Sequence, residues 1–240
     1  MNIRHARGTT LADTQIFEPD GRAIPFVDEG TNSGPAVVLI PGRGLNISYL
    51  GPLAHALIEE DFRIVRIGPR HPSSAADAVV SMHDLAQDVV DVMDHIGLGH
   101  AWIGGHAFGG SVARAVSLDH LDRVGGVLLL GVEGAEQTDE LNAGGSEIPE
   151  GARDVEVDAM QRAAQDATPD LEWSSLAPAV PVLVIQGTED TLTPVANGER
   201  LQASAPDRVS VVAVEGGGHL FPVTHVGATS WPIEDYLDWD

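Results

Sequence analysis

The stretch "AWIGGHAFGG", residues 101–110, decides how the rest of the chain is read. Small and apolar residues lead into a glycine-framed turn, and a helical pattern, "FGGSVARAVSLDHL", follows. This is the setting in which a strand stops abruptly and presents one side chain at its tip, the nucleophile elbow G-x-S-x-G. Aligning the glycines places Gly105, His106, Ala107, Phe108 and Gly109 on that pattern. Ala107 puts a methyl group where the pattern has a hydroxyl.

On the N-terminal side, "DTQIFEPDGRAIPFVDEG" predicts two short strands around a turn at Asp20-Gly21. "PAVVLI" is a short apolar run ending at Pro41-Gly42, as in a buried parallel strand. "SYLGPLAHALIEE" reads as a helix and "FRIVRIGPR" as the next strand. In "SMHDLAQDVVDVMDHIGLG", Leu85, Val89, Met93 and Ile96 recur at helical spacing and Gly97 supplies a stop. On the C-terminal side, "VGGVLLLGVEG", "VPVLVIQGTED" and "RVSVVAVEGGGH" predict three more strands. "VANGERLQASA" and "SWPIEDYLDWD" predict helices. Residues 135–172 are polar and weakly periodic at their core, and are read as a small cap or lid insertion. Strands alternating with helices imply one α/β domain over 1–240, its mostly parallel sheet covered on both faces. Ligands in such sheets sit at the carboxyl ends of the strands.

Composition narrows the function classes. A chain of 240 residues with 43% hydrophobic content suits one domain with a sizeable core. No cysteine is present, so disulfides, thiolate chemistry and Cys-ligated metals are excluded. No apolar run reaches the length of a membrane span, and "MNIRHARGTTLADTQ" lacks the apolar middle of a signal peptide. The expected location is the cytoplasm. Net charge is −23, from 36 acidic and 13 basic residues, every basic one an arginine. Such a surface repels phosphate backbones and anionic lipid, so no nucleic acid or membrane partner is expected. The acidity itself reads as a solubility device; the undiminished hydrophobic fraction argues against adaptation to high salt.

Four loops, each following an apolar run, carry a resemblance: "IPGRG", "GGHAFGG", "QGTEDTLTP" and "GGGHLFP". In this order they resemble the α/β-hydrolase superfamily over nearly the whole chain outside the cap. The resemblance implies that Asp190, within G-x-x-D after the strand that follows the cap, is the acid. His219, after the Gly-rich turn of the last strand, would be the base. Asp190 would hold Nδ1–H of His219 and orient Nε2 towards the elbow. The implied oxyanion hole uses backbone N–H groups of Phe108 and Arg43; family members often carry His-Gly where this chain has Pro41-Gly42. Read without the family, Asp190 caps the turn at Thr191 and His219 is a surface histidine. The surrounding loops favour the functional reading of both.

Three explanations compete for Ala107. It replaces a serine by engineering, to trap a substrate complex; it is native to an enzyme without a covalent step; or it is native to a binding module. The chain resembles a branch of the superfamily whose elbow reads G-H-A-F-G. Asp190, His219 and the glycine frame all persist around it, which disfavours a long-decayed pseudo-hydrolase. With a serine, an acyl-enzyme would form. With Ala107, His219 can still act as general base on a water or an acidic substrate proton, with the oxyanion hole holding developing charge. Glu133, ending "VLLLGVE", should lie near the mouth of the site, where some α/β-hydrolases place their acid; a solvated loop residue is the simpler reading. His106 reads as a packing and hydrogen-bonding residue. The expected function is a hydrolase-type enzyme acting on a small, largely apolar ester, lactone or ketone. The alternative is a non-catalytic ligand-binding protein of the same fold. No metal or organic cofactor is implied, and oligomeric state stays open.

Overall fold

Strand β5 (Ala101–His106) is buried at all six positions, the fate its run of small and apolar residues demands of a central strand. The computed structural model describes residues 13–31, 34–71, 79–134 and 153–237. Its other strands are β1 (Gln15–Phe17), β2 (Ile24–Gly30), β3 (Ala36–Ile40), β4 (Arg63–Ile67), β6 (Val124–Leu130), β7 (Val182–Gly187) and β8 (Val209–Val214). They form one sheet in the order β1-β2-β4-β3-β5-β6-β7-β8. β2 is antiparallel to both β1 and β4, and every other pairing is parallel. The register places Ile40 beside Gly105, and His106 beside Leu130. The ends of β3, β5 and β6 therefore stop level with one another. The expected turn between β1 and β2 is present, with Asp20 and Gly21 both at positive φ.

Helices cover both faces, as the alternation predicts. Along β3, Val37 and Leu39 pack with α1 (Gly51–Glu59) and α8 (Val226–Leu237). Val38 and Ile40 pack instead with α2 (Met82–His95) and α3 (Phe108–Asp119). The period-two alternation of a strand sends neighbouring residues into two separate cores. A capping box between Ser81 and Asp84 starts α2, and Gly97 at φ +68 follows its end. Asp88 on its buried face accepts hydrogen bonds from Arg22 and Arg70, which fastens the β1–β2 hairpin and the loop after β4 to that helix. α8 starts at Val226, before the Ser230 start that sequence predicts, and carries Pro232 inside it.

Between β6 and β7 lie α4 (Val155–Ala167) and α5 (Asp170–Ser174). The expected cap spans 135–172, of which 135–152 lies outside the described residues. Asp154 caps α4 by accepting from the N–H groups of Glu156 and Val157. The buried face of α4 consists of Val157, Gln161, Ala164 and Gln165. α6 (Val195–Ser204) joins β7 to β8, and α7 (Phe221–Thr224) precedes α8. No helix among the described residues is long and apolar enough to cross a membrane.

Candidate active site

At the end of β5 the chain reverses within one residue. Ala107 takes φ 48° and ψ −108°, a conformation an L-residue adopts only when its surroundings force it. Its N–H is held by the Leu130 carbonyl at 2.9 Å, and α3 begins at the next residue. The frame is steric. A Cβ on Gly105 would collide with the backbone of Gly109, and one on Gly109 with the carbonyl oxygens of Ile40 and Pro41. Glycine at both positions lets α3 start directly against β5 and the loop after β3, and Ala107 is left at the apex.

The Ala107 methyl faces a cavity of about 30 Å³ lined by Gly42, Arg43, Leu45, His106, Phe108, Glu133, Arg153, Leu192 and His219. A space of that size admits water or a small reacting group. Phe108 opens α3, so its N–H is one of the first-turn donors that a helix leaves without an acceptor. Arg43 sits in the turn closed by Leu45 N–H to Gly42 C=O at 3.0 Å.

His219, which lines the same cavity, meets Asp190 behind it. His219 Nδ1 lies 3.1 Å from Asp190 Oδ2 and 3.2 Å from Oδ1. With Nδ1–H donating to the carboxylate, Nε2 is left as the ring's acceptor. Asp190 is buried and also accepts from the Leu192 and Thr193 N–H groups, each at 2.9 Å, and from the Thr193 hydroxyl. Burial pushes its carboxyl up, but the bonds from His219 and Thr193 outweigh that and hold it below the usual range. Asp190 thus closes its own turn and holds the imidazole at once.

His106 is 1% exposed and its Nε2–H donates to the His219 carbonyl at 2.9 Å. Burial and the neighbouring His219 ring hold it down to a pKa of about 3, so it stays neutral and anchors the His219 backbone. Glu133 is buried rather than solvated. Its Oε2 accepts from Ser111 Oγ at 2.8 Å and Gln165 Nε2 at 3.2 Å. Arg114, whose charge is fully buried, donates to the Glu133 carbonyl at 3.2 Å and to Ser174 O at 2.7 Å. Burial draws its guanidinium down to about 10 against the opposing pull of Glu133.

The residues expected at the site thus fall in one place: Arg43, His106, Ala107, Phe108, Glu133 and His219 line the cavity, and Asp190 stands behind His219. His219 pairs with Asp190; its ring makes no bond to Glu133. Several neighbours were not foreseen. Gln186 staples two loops, accepting from Val132 N–H and donating to the Thr193 and Pro194 carbonyls. Gln161 accepts from Gly44 N–H at 2.7 Å, and Gln165 accepts from Arg43 Nη1 at 3.2 Å. The lining is also more polar than a largely apolar ligand would require, since half its residues, counting Ala107 among ten, carry ionisable side chains. Among the described residues, no group of three His, Cys, Asp or Glu side chains is placed to share a metal ion.

Comparison with known proteins agrees with this architecture. A family model described as "alpha/beta hydrolase fold" matches residues 35–170, more than half of the chain, and one described as "TAP-like protein" matches 157–239. The chain belongs to the alpha/beta hydrolase fold family. Within this family it is 32% identical over 104 residues to the putative carbamate hydrolase RutD of Variovorax paradoxus, covering 42% of this chain and 39% of that one. It is 33% identical over 94 residues to the esterase YbfF of Escherichia coli, covering 39% and 36%. This alpha/beta hydrolase chain thus spans under half the length of the curated relatives it matches. A thermophilic esterase from Thermogutta terrifontis superposes with a TM-score of 0.72 at 21% identity, covering 95% of this chain and 98% of that one. A meta-cleavage product hydrolase from Pseudomonas fluorescens gives 0.72 at 19%, covering 93% and 97%. At these identities the structural likeness speaks for the fold alone.

Proposed function

We propose that the protein is a hydrolase that uses His219 to activate a water molecule against a small carbonyl substrate. The observation that carries this reading is the His219–Asp190 pair, 3.1 Å apart, with His219 lining the same water-sized cavity as the Ala107 methyl. In a hydroxyl-bearing elbow the side-chain oxygen would fill that space and attack first. Here a water takes its place. His219 Nε2 accepts a proton from the water as its oxygen bonds to the carbonyl carbon. The carbonyl oxygen gains the charge and is met by the N–H groups of Phe108 and Arg43. Collapse breaks the bond to the leaving group, which takes the proton back from His219. Asp190 keeps the imidazole in the tautomer that presents Nε2 and stabilises its protonated form. On this reading the segment between β6 and β7, with α4 against the Gly42–Leu45 turn, serves as the cap of a single domain.

The names of the curated relatives, carbamate hydrolase and esterase, put short esters and carbamates on the substrate panel, and the sequence expectation adds lactones. The wild type should turn over at least one class, and His219→Ala should lower that rate by about 10²–10⁴-fold. Ala107→Ser should open the covalent route and give a burst of released product. A protein that binds panel members, turns none over and is indifferent to His219→Ala is a carrier, and the reading fails.

A further inference from the structure

In a chain of net charge −23, the wall of the cavity contributed by the Gly42–Leu45 turn and by the residue ahead of the α4 cap carries two guanidiniums. Arg43 and Arg153 both line it. Arg43 is 8% exposed. Its Nη1 donates to Gln165, but its buried Nε has no hydrogen-bond partner, and the buried Nε of Arg153 has none either. The carboxylate they share is Asp158, 3.5 Å from Arg43 Nε and 4.0 Å from Arg153 Nη1, and Asp158 also pairs with Arg162 at 3.4 Å. One carboxylate thus serves three guanidiniums without closing a good bidentate bond to either cavity arginine. Glu133, the acid that lines the cavity itself, is occupied by Ser111 and Gln165 and lies beside Arg114. Burying a guanidinium with spare donors is costly unless an anion completes it, and planar guanidiniums suit carboxylates in particular.

We propose that Arg43 and Arg153 form a carboxylate-binding subsite, so that the preferred substrates are short anions carrying a carboxylate a few atoms from the bond to be cleaved. This rests on the hydrolase reading for the cleaved bond, but not for the binding. It gives the Arg43 residue two separate tasks: its backbone N–H faces the reacting oxygen, and its side chain holds the remote charge. It also gives α4 a role in selection, since Gln161, Gln165 and Asp158 of that helix hold the Arg43 turn and its side chain in place.

The test compares two 4-nitrophenyl esters of equal acyl length, the half-ester of succinic acid and the butyrate ester. The wild type and Arg43→Gln and Arg153→Gln variants are assayed at constant ionic strength, and succinate and the uncharged succinamide are titrated into each protein by calorimetry. The wild type should favour the half-ester in kcat/KM by about tenfold or more, the worth of one charge-assisted contact. In each variant the preference should fall towards one, mainly through KM. Succinate should bind the wild type about tenfold tighter than it binds Arg153→Gln, and succinamide should not distinguish them. Arg153 is partly exposed, so its variant folds even if the Arg43 variant does not. If succinate binds in an Arg153-dependent way but neither these esters nor any lactone or carbamate of the panel is cleaved, the subsite stands and the hydrolase reading falls. If both esters are cleaved equally, or succinate binding is absent or blind to Arg153, the subsite is overturned.

Discussion

Asp190 is asked for more hydrogen bonds than any other side chain at the site. Its two oxygens serve the Leu192 and Thr193 N–H groups, the Thr193 hydroxyl and the His219 ring. Asparagine in its place keeps one acceptor and turns the other into a donor, which would face donors it cannot satisfy. Asp190→Asn should therefore cost about 2 kcal/mol of stability in urea denaturation. It should also lower kcat by about a hundredfold or more, because the imidazole loses both its tautomer and its counter-charge. Loss of stability with kcat unchanged would leave Asp190 as a turn residue only. The same duality explains why Asp190 reads two ways in sequence: it caps its turn at Leu192 and Thr193 and holds His219 as well.

At the scale of the element, the β5–α3 junction is held together by what its glycines lack. Adding one methyl at Gly109 drives it into the Ile40 and Pro41 carbonyl oxygens, which belong to a central strand and the loop after it. Backbone cannot give way as a flexible side chain can, so Gly109→Ala should destabilise the protein by about 3 kcal/mol. The measurement is a denaturant melt; a cost below 1 kcal/mol would mean the junction is not so tightly packed. This junction was legible in sequence because the glycines mark it and the buried strands β3, β5, β6 and β7 announce themselves as apolar runs. Four loops after strands named most of the residues that line the cavity. Helix α4 was not legible. Its inward positions, Val157, Gln161, Ala164 and Gln165, follow the helical period, but two of the four are glutamines. A reading that searches for apolar periodicity sees a polar tract there. Those glutamines face inward because buried polar groups, the Gly44 N–H and the Glu133 carboxylate, need partners. Arg153 was missed for a related reason: nothing local distinguishes a cavity arginine from a surface one, and only the fold brings it beside Arg43.

For the molecule as a whole, acid is resisted unevenly, and two histidines act with opposite sign. His83 bridges Asp119 and Glu172 at 2.7 and 2.8 Å, tying α2 to α3 and α5. The bond to Asp119, then that to Glu172, raises its pKa. Its contribution is therefore complete below the unfolded value near 6.5 and is lost as pH rises through the folded value. His106 runs the other way. In the unfolded chain it titrates near 6.5, whereas in the folded protein burial holds it to about 3. Between those values the unfolded chain binds a proton that the folded one refuses, so stability present above pH about 6.5 is lost on acidification. The loss is about 1.4 kcal/mol per pH unit. His106→Gln isolates it, because glutamine keeps a donor for the His219 carbonyl and cannot titrate. At pH 8 the variant should be less stable than the wild type, having lost packing against His219, Tyr49 and Phe221. As pH falls from 6.5 to 4.5 the gap should close by about 1.4 kcal/mol per unit, while carboxylate titrations shared by both proteins cancel in the difference. Urea melts of the two proteins at pH 8, 6.5, 5.5 and 4.5 read this directly. A gap constant across that range would show that the folded protein lets His106 take up its proton near the ordinary pKa, and that its ring is not sealed from water.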